Sequence, residues 1–297
     1  MHRTIDLNLN IAEISLKLIG FPHLFQLEIE KRFTHFLGKP PNPVSYVRIH
    51  WCRRGKTLPP SVDLLFDSTP ICDVLGVGRM WKIYDCGDTL LATISYEGGS
   101  MARIITDKEW NRIMLYEEVN SKDRSGSFIN GALELILRAK MPLTGGLIFH
   151  SAGISYGEKS FLVVGHSGDG KSTMASLWKN EAQAIVMNDD RMAVRVEKGE
   201  VKCYGTPWSG TLEMVANYSA PLEAIFLSEK SERNELIYIT PGMAAPLLIA
   251  RAFLPFWDRK LMEYALDVID AIVRRVPVYI LRWHPGREVI KVIRSLL

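Results

Sequence analysis

The sequence predicts a mixed α/β protein of the α+β kind, in two parts, and three observations carry that prediction. Up to about Thr106, apolar residues alternate with polar ones at period two. Between about Asn111 and Lys140 the period lengthens to that of a helix. From Gly145 onward, short apolar runs alternate with helical stretches around a glycine-rich turn.

The first part, residues 1–125, reads as strands. Ile5-Asp-Leu7-Asn-Leu9-Asn-Ile11 turns one face inward and the other to water, and Val47 to Trp51 and Val62 to Phe66 continue the pattern. Trp81 to Tyr84 and Leu90 to Tyr96 flank Asp85-Cys-Gly-Asp88, which predicts a hairpin turn. Proline-rich stretches at residues 39–43 and 58–60 separate strands, since neither would sit inside a sheet. The isolated His23, His35 and His50 have no partner at ligand spacing and read as ordinary side chains.

The polar, turn-prone Asn120-Ser-Lys-Asp-Arg-Ser-Gly126 reads as the boundary to the second part, residues 126–297, or as a loop within one domain. Ile129, Leu133, Ile136 and Leu137 fall on one face of a helix that Ser127 would cap. Strands are expected at residues 147–154, 161–164 and 184–187, with shorter ones at 192–196 and 224–227. Thr240 and Pro241 read as N-cap and first helical residue of an apolar helix to about Phe253. Leu261, Ala265, Val268, Ile269 and Ile272 set a helix over 259–275, followed by a strand at 278–283 and a closing helix from Gly286.

Composition narrows the function classes. With 36 basic and 33 acidic residues among 297 the net charge is +3, and no basic stripe points to a nucleic-acid partner. Arg53, Arg54 and Lys56 read as a solvated loop. Cys52, Cys72, Cys86 and Cys203 lack metal-ligand spacing and are expected as free thiols. The opening residues lack a signal-peptide apolar segment, and no apolar run approaches membrane-spanning length. A cytoplasmic protein with no membrane partner is the expectation, and a homo-oligomer is compatible with it.

The chemistry concentrates where the apolar run from Phe161 ends in Gly165-His166-Ser167-Gly168-Asp169-Gly170-Lys171-Ser172-Thr173, a Gly-x-x-x-x-Gly-Lys-Ser phosphate-binding pattern between a strand and a helix. Glycines let backbone N–H groups turn toward phosphate oxygens, and the helix that follows adds its positive end. Lys171 would reach the outer phosphates and Ser172 would offer its hydroxyl to Mg²⁺. Phosphoryl transfer also needs carboxylates, and Asn188-Asp189-Asp190-Arg191 supplies them at the end of the strand 184–187. Side chains adjacent on an extended chain point apart, so both acids share a site only if the backbone turns there.

His150, then a short strand and turn, then the glycine-rich loop, then a strand ending in Asp189, Asp190 and Arg191: this order resembles the HPr kinase/phosphorylase family over residues 145–193, and more weakly to the C-terminus. The resemblance implies a P-loop core related to phosphoenolpyruvate carboxykinase. It implies that residues 165–173 bind ATP, that Ser172 and an aspartate hold Mg²⁺, that one of Asp189 and Asp190 is the base activating a serine hydroxyl, with Asp189 preferred as base and Asp190 on the metal, and that His150 lies near the transferring phosphate. Arg191, with Arg251 or Arg259, is the candidate for neutralising charge. His166 stands where the family has an acidic residue, and Thr173 where it has a glutamate. The Arg-Gly-rich signature of the phosphorylase activity is missing, and Cys203-Tyr-Gly-Thr-Pro-Trp-Ser-Gly210 takes its place. There Thr206 and Ser209 would bond phosphate or peptide and Trp208 wall the pocket, or the stretch is a tight loop around a buried tryptophan. The chain therefore looks like the kinase-only relatives of ribosomal peptide clusters, including lasso-peptide precursor kinases. The expected activity is phosphorylation of a serine on a peptide or small protein, with the strand-rich part recognising the peptide. The rivals are a small-molecule or carboxykinase-like phosphotransferase and a non-catalytic, nucleotide-gated peptide-binding module.

Overall fold

A computed structural model describes residues 4–22, 29, 31, 33–38, 43–52, 62–69, 79–96, 101–118, 127–166 and 168–297. The chain divides into two compact units, Met1–Lys140 with Pro255–Arg259, and Met141–Leu254 with Lys260–Leu297. His23, Cys72, the basic cluster at residues 53–56, the prolines at 40, 41, 59 and 60, and the expected boundary at 120–126 lie outside the described residues. The contact boundary falls after Lys140, so the helix expected to open the second part stays with the first unit.

The first unit is an eight-stranded sheet with order β1-β2-β3-β8-β7-β6-β5-β4. Its strands are β1 (Thr4–Ile11), β2 (Ile14–Pro22), β3 (Ser45–Cys52), β4 (Asp63–Asp67), β5 (Arg79–Asp85), β6 (Thr89–Tyr96), β7 (Met101–Asp107) and β8 (Arg112–Glu118). Only β2–β3 and β3–β8 pair in parallel; the other neighbours are antiparallel. The predicted hairpin joins β5 to β6, with Gly87 at φ +81° and its N–H on Asp85 Oδ1 at 2.9 Å. Residues 112–118 correct the reading of a helical period from Asn111. Ile113 and Leu115 are buried while Arg112 and Met114 are exposed, which is the period of a strand. Helix α1 (Ser127–Lys140) buries Ile129, Ala132, Leu133, Ile136 and Leu137, as its spacing predicts, and lies against β6 and β7. Lys140 ends it by donating to Glu109 O and Asn111 Oδ1.

The second unit contains β9 (Gly146–Tyr156), β10 (Lys159–Val164), α2 (Lys171–Lys179), β11 (Ala184–Asn188), β12 (Arg191–Glu197), β13 (Glu200–Gly205), β14 (Ser219–Lys230), β15 (Glu235–Ile239), α3 (Pro241–Ile249), α4 (Arg259–Val273), β16 (Val278–Trp283) and α5 (Glu288–Arg294). Strand pairing runs β10-β9-β12-β13-β14-β16-β15, and an additional β10–β14 ladder closes five of these strands into a ring. The long strands β9 and β14 make this closure, because each changes neighbours halfway along. β9 pairs with β12 through residues 146–150 and with β10 through 151–156, and β11 joins it at 153–156. β10 is parallel to β14 and β14 is parallel to β16.

Phe161, Leu162, Val163 and Val164 are all at 0% exposure, as a central parallel strand covered on both faces requires. Phe161 and Val163 pack with Met174, Ala175 and Trp178 of α2 and with Val289, Ile290 and Ile293 of α5. Leu162 and Val164 face the opposite way, toward Leu248 of α3 and Ala265, Ile269 and Ile272 of α4. Helix α3 stops at Ile249 rather than running to Phe253. Residues 251–253 are drawn out along β9 instead, where His150 N–H donates to Arg251 O and Phe253 N–H to Ile148 O. Strands β13 and β15 were not legible, since both mix charges and aromatic residues without clear alternation. Among the described residues no helix is long and apolar enough to cross a membrane, and Cys52, Cys86 and Cys203 are free thiols.

Trp178 ties α2 to the sheet through edge contacts with Phe161 at 5.0 Å and Tyr156 at 5.4 Å. Trp178→Ala is expected to cost about 3–5 kcal/mol in chemical denaturation; a loss under about 1 kcal/mol would mean that the helix is held elsewhere.

Candidate active site

Three chain segments meet where β9 changes partners. Val164, the last residue of β10, pairs with Ser151, so Gly165 begins its turn beside His150. Arg191, the first residue of β12, pairs with His150 itself. The turn between β11 and β12 crosses the same point, with Ser151 N–H donating to Asp190 O at 2.9 Å. The register thus brings together His150, the glycine-rich loop and the acidic turn, the three features that the sequence order singled out.

The loop after β10 has the backbone that its glycines allow. Gly168 and Gly170 adopt φ of +89° and +92°, a left-handed region that side chains with a Cβ rarely enter. At Gly170 a Cβ would also lie 2.7 Å from the Trp283 ring. Asp169 stiffens the turn, its Oδ2 accepting the His166 N–H at 2.5 Å, and its carbonyl accepts Ser228 Oγ–H at 2.6 Å. Trp283 Nε1–H donates in turn to Ser228 Oγ at 2.8 Å, so β14 and β16 fix the far side of the loop. Ser167 lies outside the described residues; His166 and Thr173 are exposed, and Ser172 sits in the first turn of α2.

Lys171 is 7% exposed and its ammonium bonds Gly165 O at 3.1 Å and His166 O at 2.8 Å. Burial lowers its pKa most. Asp190 and Asp169 oppose that effect and Arg251 reinforces it, leaving the group below the ordinary lysine value.

The turn at 188–191 is built by Asn188. Its Oδ1 accepts the N–H groups of Asp190 at 2.7 Å and Arg191 at 2.8 Å, while its Nδ2 donates to Thr206 O at 2.8 Å. The two acids then diverge in environment. Asp189 is 1% exposed, with Oδ1 accepting Gly210 N–H at 2.9 Å and Oδ2 accepting Leu212 N–H at 3.0 Å. Asp190 Oδ1 meets His150 Nε2 at 3.0 Å and its Oδ2 meets Arg191 Nη1 at 3.0 Å. Burial pushes the Asp190 carboxyl up. The His150 hydrogen bond and the charges of Arg191 and Lys171 outweigh it, so the group stays below the ordinary carboxylate value.

Phe253 frames this cluster, its ring 6.4 Å from that of His150 and 5.3 Å from the Arg191 guanidinium. Arg251 donates Nη1–H to Leu247 O at 2.8 Å, and among the described residues its buried Nε has no hydrogen-bond partner. Arg259 belongs by its contacts to the first unit.

The stretch 203–210 is inward-turned. Thr206 is fully buried and donates Oγ1–H to Arg191 O at 2.6 Å, and Trp208 is 3% exposed. A Cβ at Gly205 would fall 1.9 Å from Ala216 O, so only glycine fits there. The tight loop around a buried tryptophan is the arrangement found. Sequence reasoning missed Asn188 as the residue that makes the acidic turn; an Asn-x-x sequence directly after a strand is the signal that would have pointed to it.

Among the described residues no group of three or more His, Cys, Asp and Glu side chains could hold a metal ion. The oxygen donors present, the Ser172 hydroxyl and the Asp190 carboxylate, suit Mg²⁺, which keeps most of its ligands as water and phosphate. No protein-family model matches this chain, and no curated protein matches it. What the arrangement offers chemically is a buried lysine held in a glycine-rich loop, beside a carboxylate kept below its ordinary pKa and the arginines at 191 and 251.

Asp189→Ala would strand the N–H groups of Gly210 and Leu212 in a buried setting. The expected loss is roughly 2–6 kcal/mol by denaturant titration; unchanged stability would mean that Asp189 is not the clamp of that loop.

Proposed function

We propose that this protein is an ATP- and Mg²⁺-dependent kinase that transfers a phosphoryl group to a serine hydroxyl of a peptide or small protein. In this reading its second unit is an HPr kinase-like core related to phosphoenolpyruvate carboxykinase, of the branch that includes lasso-peptide precursor kinases. The observation that carries the reading is the convergence of Lys171 in its glycine-rich loop with the Asp190–His150–Arg191 cluster. A phosphate cradle alone would fit many nucleotide-binding proteins. A carboxylate held ionised beside it adds what transfer to a hydroxyl needs.

When bound, ATP supplies the phosphoryl group and Mg²⁺ offsets the charge of its phosphates. The chain's own groups divide the remaining work. Backbone N–H groups of the glycine-rich loop would hold phosphate oxygens once the His166 N–H leaves Asp169 Oδ2, and Lys171 would exchange its two loop carbonyls for them. Ser172 is the hydroxyl ligand for the metal. Asp190, whose side chain is 22% exposed, takes the base role in place of Asp189, which is 1% exposed and holds the buried N–H groups of Gly210 and Leu212. It accepts the serine proton while His150 and Arg191 orient its carboxylate. Arg251 meets the transferring phosphate with the guanidinium edge that lacks a partner among the described residues.

Purified protein with Mg-ATP and a serine-containing acceptor peptide should yield phosphopeptide. Asp190→Asn should lower the rate about 10²–10⁴-fold with ATP affinity nearly unchanged, and Lys171→Ala should remove ATP binding. A Mg²⁺ titration separates two uses of Asp190, because loss of a base leaves the Mg²⁺ midpoint in place whereas loss of a ligand moves it. Wild-type turnover in Asp190→Asn would refute the base assignment.

A further inference from the structure

On the first unit's sheet, away from the residues used above, three cations stand in one row across adjacent strands. Lys17 of β2 pairs with Arg48 of β3, and Arg48 pairs with Arg112 of β8. All three are exposed, whereas the residues on either side of each in sequence, Leu16 and Leu18, Val47 and Ile49, and Ile113, are buried. The row therefore projects from one face while the strands' other face is core. Tyr46, two residues before Arg48 on the same face, is 65% exposed, and Met114, two after Arg112, is 39% exposed. Tyr46, Arg48, Asp107, Asn111 and Arg112 line an open depression of about 380 Å³.

The carboxylate lining this depression, that of the half-buried Asp107, is occupied by backbone donors. Asp107 accepts the N–H of Asn111 with Oδ1 at 2.7 Å and that of Arg112 with Oδ2 at 3.0 Å. Asn111 is held in turn by Lys140. Among the described residues no carboxylate pairs with Lys17, Arg48 or Arg112. Neighbouring strands lie about 4.8 Å apart, so the three positions span about 10 Å. Like charges facing each other across strands are destabilising, so this arrangement carries a folding cost that a bound anion would relieve.

We propose that this face docks an extended acidic peptide. Its carboxylates sit on the Lys17–Arg48–Arg112 row, and Tyr46 and Met114 take the apolar parts of the segment. Carboxylates three residues apart on an extended segment of polyproline II type, with three residues per turn and a rise of about 3.1 Å, lie on one side about 9 Å apart, which matches the row. Among the described residues, Tyr46 is the exposed aromatic side chain beside the row rather than one of a series of stacking platforms, which favours a peptide over single-stranded nucleic acid.

The test is fluorescence-anisotropy titration of the full chain with a labelled ten-residue Glu-rich peptide, its Gln-substituted counterpart, and a labelled oligothymidylate, at low and high salt. The proposal expects salt-sensitive binding of the Glu peptide only, about tenfold weaker in Arg112→Glu and retained in Arg48→Lys/Arg112→Lys. Arg112→Glu places opposite charges in register, so its melting temperature should stay level or rise; lost binding with a raised or equal melting temperature excludes misfolding as the cause. Displacement by millimolar inorganic phosphate as effectively as by excess unlabelled Glu peptide would reduce the site to a simple anion site and overturn the peptide proposal. So would equal binding of the Gln peptide, preference for the oligonucleotide, or indifference to Arg112→Glu. None of these outcomes depends on kinase activity.

Discussion

One side chain sets the acid side of the site: the Asn188 carboxamide. By accepting the N–H groups of Asp190 and Arg191 and donating to Thr206 O, it bends the chain between β11 and β12. Without that bend the two aspartates would point to opposite sides of an extended strand. With it, Asp189 turns inward to clamp residues 210–212, while Asp190 faces His150, Arg191 and the charge of Lys171. A neutral residue thus assigns the two carboxylates different environments, one saturated by backbone donors and the other surrounded by cations.

The glycine-rich loop depends on a second constraint, the change of partners along β9. Because β9 leaves β12 for β10 between residues 150 and 151, the glycine-rich loop and the acidic turn start from neighbouring positions. The Trp283–Ser228–Asp169 relay then fixes the loop from the opposite side. Lys171 contributes from its buried position with two carbonyl acceptors and a lowered pKa. An ammonium so placed is desolvated in advance of any phosphate, and preorganised charge of this kind is what a transferring phosphoryl group requires.

Much of this was legible in the sequence, and the limits have physical causes. Alternation in β1, the Asp85–Asp88 hairpin and the run 161–164 were readable because burial there follows strict local periodicity. The order of His150, the loop and the acidic pair was readable too, since each stands near a strand end, while their approach in space was an implication of the family resemblance. Strand β13 was hidden because its charges and aromatic residues do not alternate clearly, strand β8 because the residues from Asn111 onward were read with a helical period, and the end of α3 by backbone bonds to β9. The division of roles between Asp189 and Asp190 depends on which backbone N–H groups face each one, and that is a tertiary property. The cationic row is likewise visible only through register, since residues 17, 48 and 112 share no local pattern.

In the proposed kinase, Lys171 rests on the loop carbonyls in place of phosphate. A crystal structure with Mg²⁺ and a non-hydrolysable ATP analogue tests it most directly. The account predicts that Lys171 Nζ leaves Gly165 O and His166 O to bond a phosphate oxygen within the loop, with Asp190 still paired to His150. Nucleotide bound elsewhere, or an ammonium unmoved from both carbonyls at saturating nucleotide, would contradict it.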